Sequence, residues 1–233
     1  MTRKDLQTRL PIACERARPA HRPLLRGWLH ALTAAVVWWL VTMPGANLLA
    51  PAFSAWPLLV FVLGMGLLYT TSALLHLGRW PQAVHRRLRQ MDHANIFLFI
   101  GATYTPIYCA TLHRGLCLAM LVLTWTLVIV CALRTFVYPP LSRRQRTLLC
   151  LLVGGCPVPV LPAIGAALGP QSLLVMLTAG ILYTAGALIY WLKRPDPIPM
   201  VFGFHELFHF LVVLGNLTVA LLIWDKLPQS LPL

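Results

Sequence analysis

The sequence predicts an all-α, polytopic membrane protein: a bundle of seven transmembrane helices with the N-terminus inside and the C-terminus outside. Three observations carry this reading. Of 233 residues, 58% are hydrophobic and only 11% charged, against roughly 25% charged in soluble domains. Apolar runs of about 20 residues, the length that crosses a bilayer, recur along the whole chain. The basic residues fall in alternate loops. Nothing is left over for a sizeable soluble domain.

The spans lie at about 27–47, 56–78, 91–112, 115–137, 146–168, 171–192 and 203–224. Residues 1–26 read as a basic cytoplasmic arm, 27–224 as the seven-helix domain and 225–233 as a short external tail. The arm carries Arg3, Lys4, Arg9, Arg16, Arg18, Arg22 and Arg26. It is not a cleaved signal, because the apolar run behind it has full span length and no clear small-residue cleavage site. Span two runs inward, with His76 near its cytoplasmic end, and is followed by Arg79, Arg86, Arg87 and Arg89. Span three places Asp92 in its first turn and is kinked at Pro106. Arg134, Arg143, Arg144 and Arg146 lie between spans four and five, and Pro157, Pro159 and Pro162 bend span five. Span six ends at Lys193 and Arg194. Seventeen of 19 basic residues thus share one side, leaving Arg114 and Lys226 on the other. The positive-inside rule makes the rich side cytoplasmic.

The net charge of +13 is therefore read as topology plus attraction to anionic lipids of the inner leaflet, not as nucleic-acid binding. Six cysteines show no C-x-x-C pair, and those within spans read as small packing residues. Trp28, Trp56, Trp80, Trp191 and Trp224 fall near span ends, as in an aromatic belt.

Ionisable residues are costly inside a bilayer and mark function. The chain has six acidic residues, of which only Asp92 and Glu206 fall in or at the mouth of a span's inner half. His205 and His209, four apart in His205-Glu206-Leu207-Phe208-His209, lie on one face of span seven, a metal-binding spacing. Topology brings Ser72, His76, Asp92, His205 and His209 to one depth, on three helices that can be neighbours. Three imidazoles suit zinc (Zn2+) and leave a fourth position for water, whose pKa the metal lowers to about 7. Asp92 either closes the site as a fourth ligand or holds the water, and Ser72 holds the water or orients an oxyanion. Asn95, three residues after Asp92, reads as a brace for its carboxylate. His21, His30, His85 and His113 are placed in water or headgroups.

At these residues the chain resembles the hemolysin III family, within the progestin and adipoQ receptor superfamily. The resemblance lies in Ser72-x-x-x-His76, in Met91-Asp92-His93-Ala94-Asn95-Ile96-Phe97 running to Thr103-Tyr104-Thr105-Pro106, and in Phe202-Gly203-Phe204-His205-x-x-x-His209. It covers nearly all seven spans but not the arm. It implies a seven-helix bundle in the cell membrane with zinc held by His76, His205 and His209, Asp92 at the water and Ser72 beside it. The superfamily is related to alkaline ceramidases, so the resemblance also implies zinc-dependent hydrolysis of a lipid amide or ester. There is one departure. Many bacterial members carry an acidic and an amide residue shortly before the span-one histidine, where this chain reads Arg26-Gly27-Trp28-Leu29-His30.

Three functional classes compete. The first is a zinc-dependent hydrolase acting on a membrane lipid that arrives sideways from the inner leaflet. The second is a non-catalytic, receptor-like or stress-sensing protein with structural zinc. The third is an intramembrane metalloprotease using Glu206 of H-E-x-x-H as general base. Glu206 lies about 100° round the helix from His205, which favours a supporting role for it. No polar stripe lines a channel, and no mid-span lysine is available for a retinal Schiff base.

Overall fold

Inside a bilayer each backbone amide must be satisfied by protein, and a helix does this within its own chain. The computed structural model describes residues 23–42 and 56–226, and the secondary structure of this part is helical apart from one isolated bridge between Ile198 and Phe202. The helices are α1 (Trp28–Thr42), α2 (Trp56–Leu77), α3 (Gln82–Thr111), α4 (Arg114–Arg134), α5 (Arg143–Gly154), α6 (Leu161–Leu168), α7 (Pro170–Leu192) and α8 (Phe204–Lys226). A 3-10 turn over Val158–Val160 joins α5 to α6, so that the two form the fifth span. Most of the basic arm, with Asp5, Cys14, Glu15 and His21, lies outside the described residues, as do the end of the predicted first span and most of the tail.

Five segments are long and apolar enough to cross a membrane: Trp56–Leu77, Arg114–Arg134, Arg143–Leu168, Pro170–Leu192 and Phe204–Lys226. The shorter α1 is equally apolar. Helix α3 is more polar because it is central. It packs on α2, α4, α5, α6 and α8, and buries Asn95, Thr103 and Thr105 against them. Contacts close a ring in which α8 meets α1, α1 meets α2, α2 meets α3, α3 meets α5 and α6, and both of these meet α7, which returns to α8. Helix α4 stands outside, on α3 and α5, and exposes Leu118, Val122, Ile129 and Leu133. Exposure of this kind suits lipid, which solvates apolar side chains as readily as a protein core does. The chain is accordingly a multi-pass membrane protein built as an all-α bundle.

Two predicted spans need correction. Helix α3 begins at Gln82, not at 91, because the arginine-rich stretch ahead of the apolar run is itself a good helix former and continues the helix beyond the lipid-embedded part. Asp92 is therefore almost three turns into α3 and gains nothing from a helix N-terminus. The fifth span is broken rather than bent: three prolines within six residues remove the amides that would continue α5. Pro106, by contrast, is accommodated inside an unbroken α3.

Close packing uses small residues. A Cβ on Gly64 of α2 would meet the Ala102 Cβ of α3 at 2.6 Å, and one on Gly215 of α8 would meet the Tyr183 ring of α7 at 2.7 Å. Buried polar links then fix the arrangement. The Tyr183 hydroxyl donates to Asn216 Oδ1 at 2.6 Å, and Asn216 Nδ2 donates to the Tyr69 hydroxyl, tying α7, α8 and α2 together. Asn95 Nδ2 donates to Thr71 Oγ1 at 2.8 Å, joining α3 to α2.

Replacing Asn216 by Leu leaves both tyrosine hydroxyls without this partner. A loss of about 1–2 kcal/mol is expected, read as a fall in Tm of several degrees in detergent-solubilised protein. An unchanged Tm would show that the link does not hold the bundle.

Candidate metal centre

The residues that build the centre come from both ends of the described chain. His76 lies in the last turn of α2, and His205 and His209 lie on successive turns at the start of α8. Helices α2 and α8 pack chiefly through α1, which lies between them. His209 is buried, and His76 and His205 are half-buried.

Each of these three imidazoles offers a nitrogen, and the three nitrogens lie within 4.8 Å of one another. The Nε2 atoms of His76 and His205 are 3.3 Å apart. That separation is long for an N–H···N hydrogen bond. It matches the ~3.3 Å edge of a tetrahedron with metal–nitrogen bonds of 2.0–2.1 Å. Neutral imidazoles in this arrangement fit a zinc ion, and they are the residues that would hold one.

Asp92 does not belong to this group of three, and Ser72 donates a hydrogen bond to its carboxylate. Three imidazoles thus converge, while a carboxylate–hydroxyl pair stands apart on α3 and α2. Asn95 does not brace Asp92 as expected. It turns to Thr71 and to the Leu67 carbonyl, because its amide faces α2 one turn deeper. His93 points away to Arg146, whose Nη1 lies 3.0 Å from its Nδ1 and whose Nη2 donates to the Tyr190 hydroxyl at 2.6 Å.

Glu206 is buried and fully engaged. One oxygen pairs with Arg26, and the other accepts the Gly203 amide at 2.9 Å. The second bond is half of a capping box at the start of α8. Asp196 caps the same end by accepting the Phe204 amide at 2.7 Å. Helix α8, which carries two of the three converging imidazoles, therefore has its first turn fixed by two carboxylates and an arginine.

That arginine belongs to a strap over the site. The Leu24 and Leu25 amides donate to the Met200 and Val201 carbonyls at 3.0 and 3.1 Å, so residues 24–26 run along the loop between α7 and α8. Gly27 follows, with φ +86°, and a Cβ there would lie 2.6 Å from the Cβ of His76. Only glycine combines the left-handed turn with this approach. Arg26-Gly27 is thus where the strap meets both histidine-bearing helices.

His30 is the largest correction. The sequence puts it in water or headgroups, yet it is only 4% exposed and stacks on His209, with ring centroids 3.8 Å apart and planes 4° apart. The depth argument that selected His76 applies to His30 as well, since it sits in the first turn of an outward-running helix. Assigning it to the span's end, not to its inner half, hid it. His113, by contrast, is an exposed N-cap of α4, and His85 lies half-buried in the first turn of α3.

Alanine at position 27 is expected to push His76 out of register and to weaken zinc retention by tenfold or more, with about 1–2 kcal/mol of left-handed strain added. Zinc content after dialysis against a weak chelator measures it. Retention equal to wild type would mean that the strap does not position His76.

The sequence matches the family described as Haemolysin-III related over residues 19–220. It is 30% identical to Hemolysin-3 of Bacillus cereus over 158 residues, covering 67% of this chain and 68% of the relative. Identity to the Hemolysin-3 homolog of Bacillus subtilis (strain 168) is 27% over 150 residues, 61% and 68% of the two chains. A plant protein, Heptahelical transmembrane protein ADIPOR2 of Oryza sativa subsp. japonica, is 33% identical over 186 residues, 70% and 78% of the two. The match spans all seven membrane segments, including each helix that carries a histidine of the centre, and the chain belongs to the haemolysin-III-related family of multi-pass cell-membrane proteins, within the progestin and adipoQ receptor superfamily.

Proposed function

We propose that the protein is a zinc-dependent hydrolase that cleaves an amide or ester bond of a membrane lipid. The observation that carries this reading is the three-imidazole group with a carboxylate–hydroxyl pair standing outside it. Zinc held there supplies a Lewis acid and lowers the pKa of a bound water to near neutrality. His76, His205 and His209 are the ligands. Asp92 orients the attacking water and takes its proton, and Ser72 fixes Asp92 in that role. A substrate with its carbonyl in the site has its acyl chain in the bilayer.

The arginine-rich helix ends share one end of the bundle with the site, as the contacts of Arg143 and Arg146 with Tyr190 on α7 illustrate. We assign this end to the cytoplasm by the positive-inside rule. The lipid then enters from the inner leaflet, whose anionic lipids the same arginines attract. Structural zinc in a receptor-like protein is the competing reading, and it calls for a fourth protein ligand. The position of Asp92 outside the group speaks for the open site.

Mass spectrometry of the purified protein is expected to find about one zinc per chain, lost in His209→Ala. Without metal in carefully unchelated wild type, the hydrolase reading falls. Given zinc, Asp92→Ala is expected to keep the metal and to reduce hydrolysis of a lipid-amide and lipid-ester panel by at least a hundredfold. Unchanged turnover would remove Asp92 from the chemistry, and a wild type with zinc but no turnover on either bond type would favour the structural reading.

A further inference from the structure

His30 is unlike the other polar groups of the bundle interior. Its side chain is 4% exposed, and neither Nδ1 nor Nε2 has a hydrogen-bond partner among the described residues. A buried group left in that condition destabilises the fold, and such a group calls for an explanation. The ring is nevertheless held in place. It stacks on His209 at 3.8 Å and meets the Tyr69 ring edge-on at 4.9 Å and 75°. Tyr69 contacts the ring without bonding its nitrogens: its hydroxyl accepts from Asn216, and no hydrogen bond joins it to His30.

We propose that His30 positions the non-protein group in the open fourth position of the metal centre, and that it is not a metal ligand. The proposal rests on the three-histidine metal reading given above. Stacking geometry separates the two roles. An ion held by His209 would lie in the plane of that imidazole, along a nitrogen lone pair. The lone pairs of His30 lie in a second, nearly parallel plane, with the ring centroids 3.8 Å apart, so the two stacked rings would not direct their lone pairs at one ion. Consistently, His30 is outside the group of three whose nitrogens converge. A group on the ion's fourth position is not confined to the His209 plane. At tetrahedral angles and ~2 Å bonds such a group could stand up to about 2 Å out of that plane, within reach of the layer that His30 occupies.

The chemistry of imidazole suits the task. A neutral ring carries one donor and one acceptor. It can accept from a water before reaction and donate to a carbonyl oxygen as negative charge develops on it. Ser72 and Asp92 serve the centre from α2 and α3, whereas His30 serves it from α1. A residue of α1 would then sense directly what occupies the metal centre.

The test uses the full-length protein in detergent, loaded with cobalt(II), whose visible spectrum reports ligands at the fourth position. Azide is titrated into wild type, His30→Phe and His30→Gln. Phenylalanine keeps the stack and the edge contact but removes both nitrogens, and glutamine restores a donor and an acceptor. The expected result is one cobalt per chain in all three, azide binding about tenfold weaker in His30→Phe, and recovery to within about threefold of wild type in His30→Gln. Should His30→Phe fail to fold, His30→Leu carries the same comparison. Azide affinity equal to wild type in the nitrogen-free variant would reduce His30 to packing and overturn the proposal. Loss of cobalt from folded His30→Phe would make His30 a ligand and overturn it equally. A wild type that binds cobalt but not azide has a closed site and also refutes it. A wild type that takes up no cobalt instead refutes the metal reading on which the proposal stands.

Discussion

A polar side chain in a lipid-embedded bundle has no bulk water to fall back on, so its partner must be another part of the protein or a bound group. Much of this structure follows from that constraint. Helix α3, which buries Asn95, Thr103 and Thr105, is at the centre. The amides and hydroxyls of Asn95, Thr71, Asn216, Tyr69 and Tyr183 are spent on one another, and they tie four helices together. Small residues at the crossings bring backbones close enough for these links to form. Once they are accounted for, the imidazoles of His30, His76, His205 and His209 remain crowded at one level, the last three with nitrogens converging.

Convergence of this kind is electrostatically awkward unless something gathers the nitrogens. Helix α8 supplies two of these imidazoles from adjacent turns, and its own first turn is fixed by Asp196, Glu206 and Arg26. His76 comes from a helix that reaches α8 chiefly through α1. The strap over residues 24–27 supplies the missing connection, pairing with the α7–α8 loop at one end and pressing Gly27 against His76 at the other. The geometry of the centre thus depends on a short turn segment as much as on the helices, which makes the residues just before α1 part of the site.

How much of this was legible in the sequence differs by level. The bundle, its membrane setting and the shared depth of Ser72, His76, Asp92, His205 and His209 followed from hydropathy, loop charge and the direction of each span, because these are properties of a single segment crossing a slab. Helix boundaries were less accessible: hydropathy marks where lipid ends, and α3 continues well past that point as an arginine-rich helix. Partner choice was the least accessible. Asn95 has the right spacing to meet Asp92 but turns to α2, and Glu206 could have faced a metal but meets Arg26, a residue 180 positions away. His30 was a different kind of miss, since its depth was readable and only its assignment to the interface was wrong.

The engagement of Glu206 bears most on the chemistry. In an H-E-x-x-H metalloprotease the glutamate must turn a free carboxylate oxygen toward a water at the metal. Here one oxygen meets Arg26 and the other caps α8, so freeing either would loosen the turn that holds His205. The pentad is shared with such proteases because His-x-x-x-His is the spacing that puts two imidazoles on one helical face, whatever stands between them. On the proposed hydrolase reading the general base is instead Asp92, which comes from a different helix and has Ser72 to orient it. A site built this way separates its duties. One helix face and one helix end present the three imidazoles, a salt-bridged strap joins their helices, and the Ser72–Asp92 pair stands on α2 and α3. Hydrolysis of a lipid carbonyl, as proposed, would use that separation, because the acyl chain stays in lipid while the polar groups are held by protein.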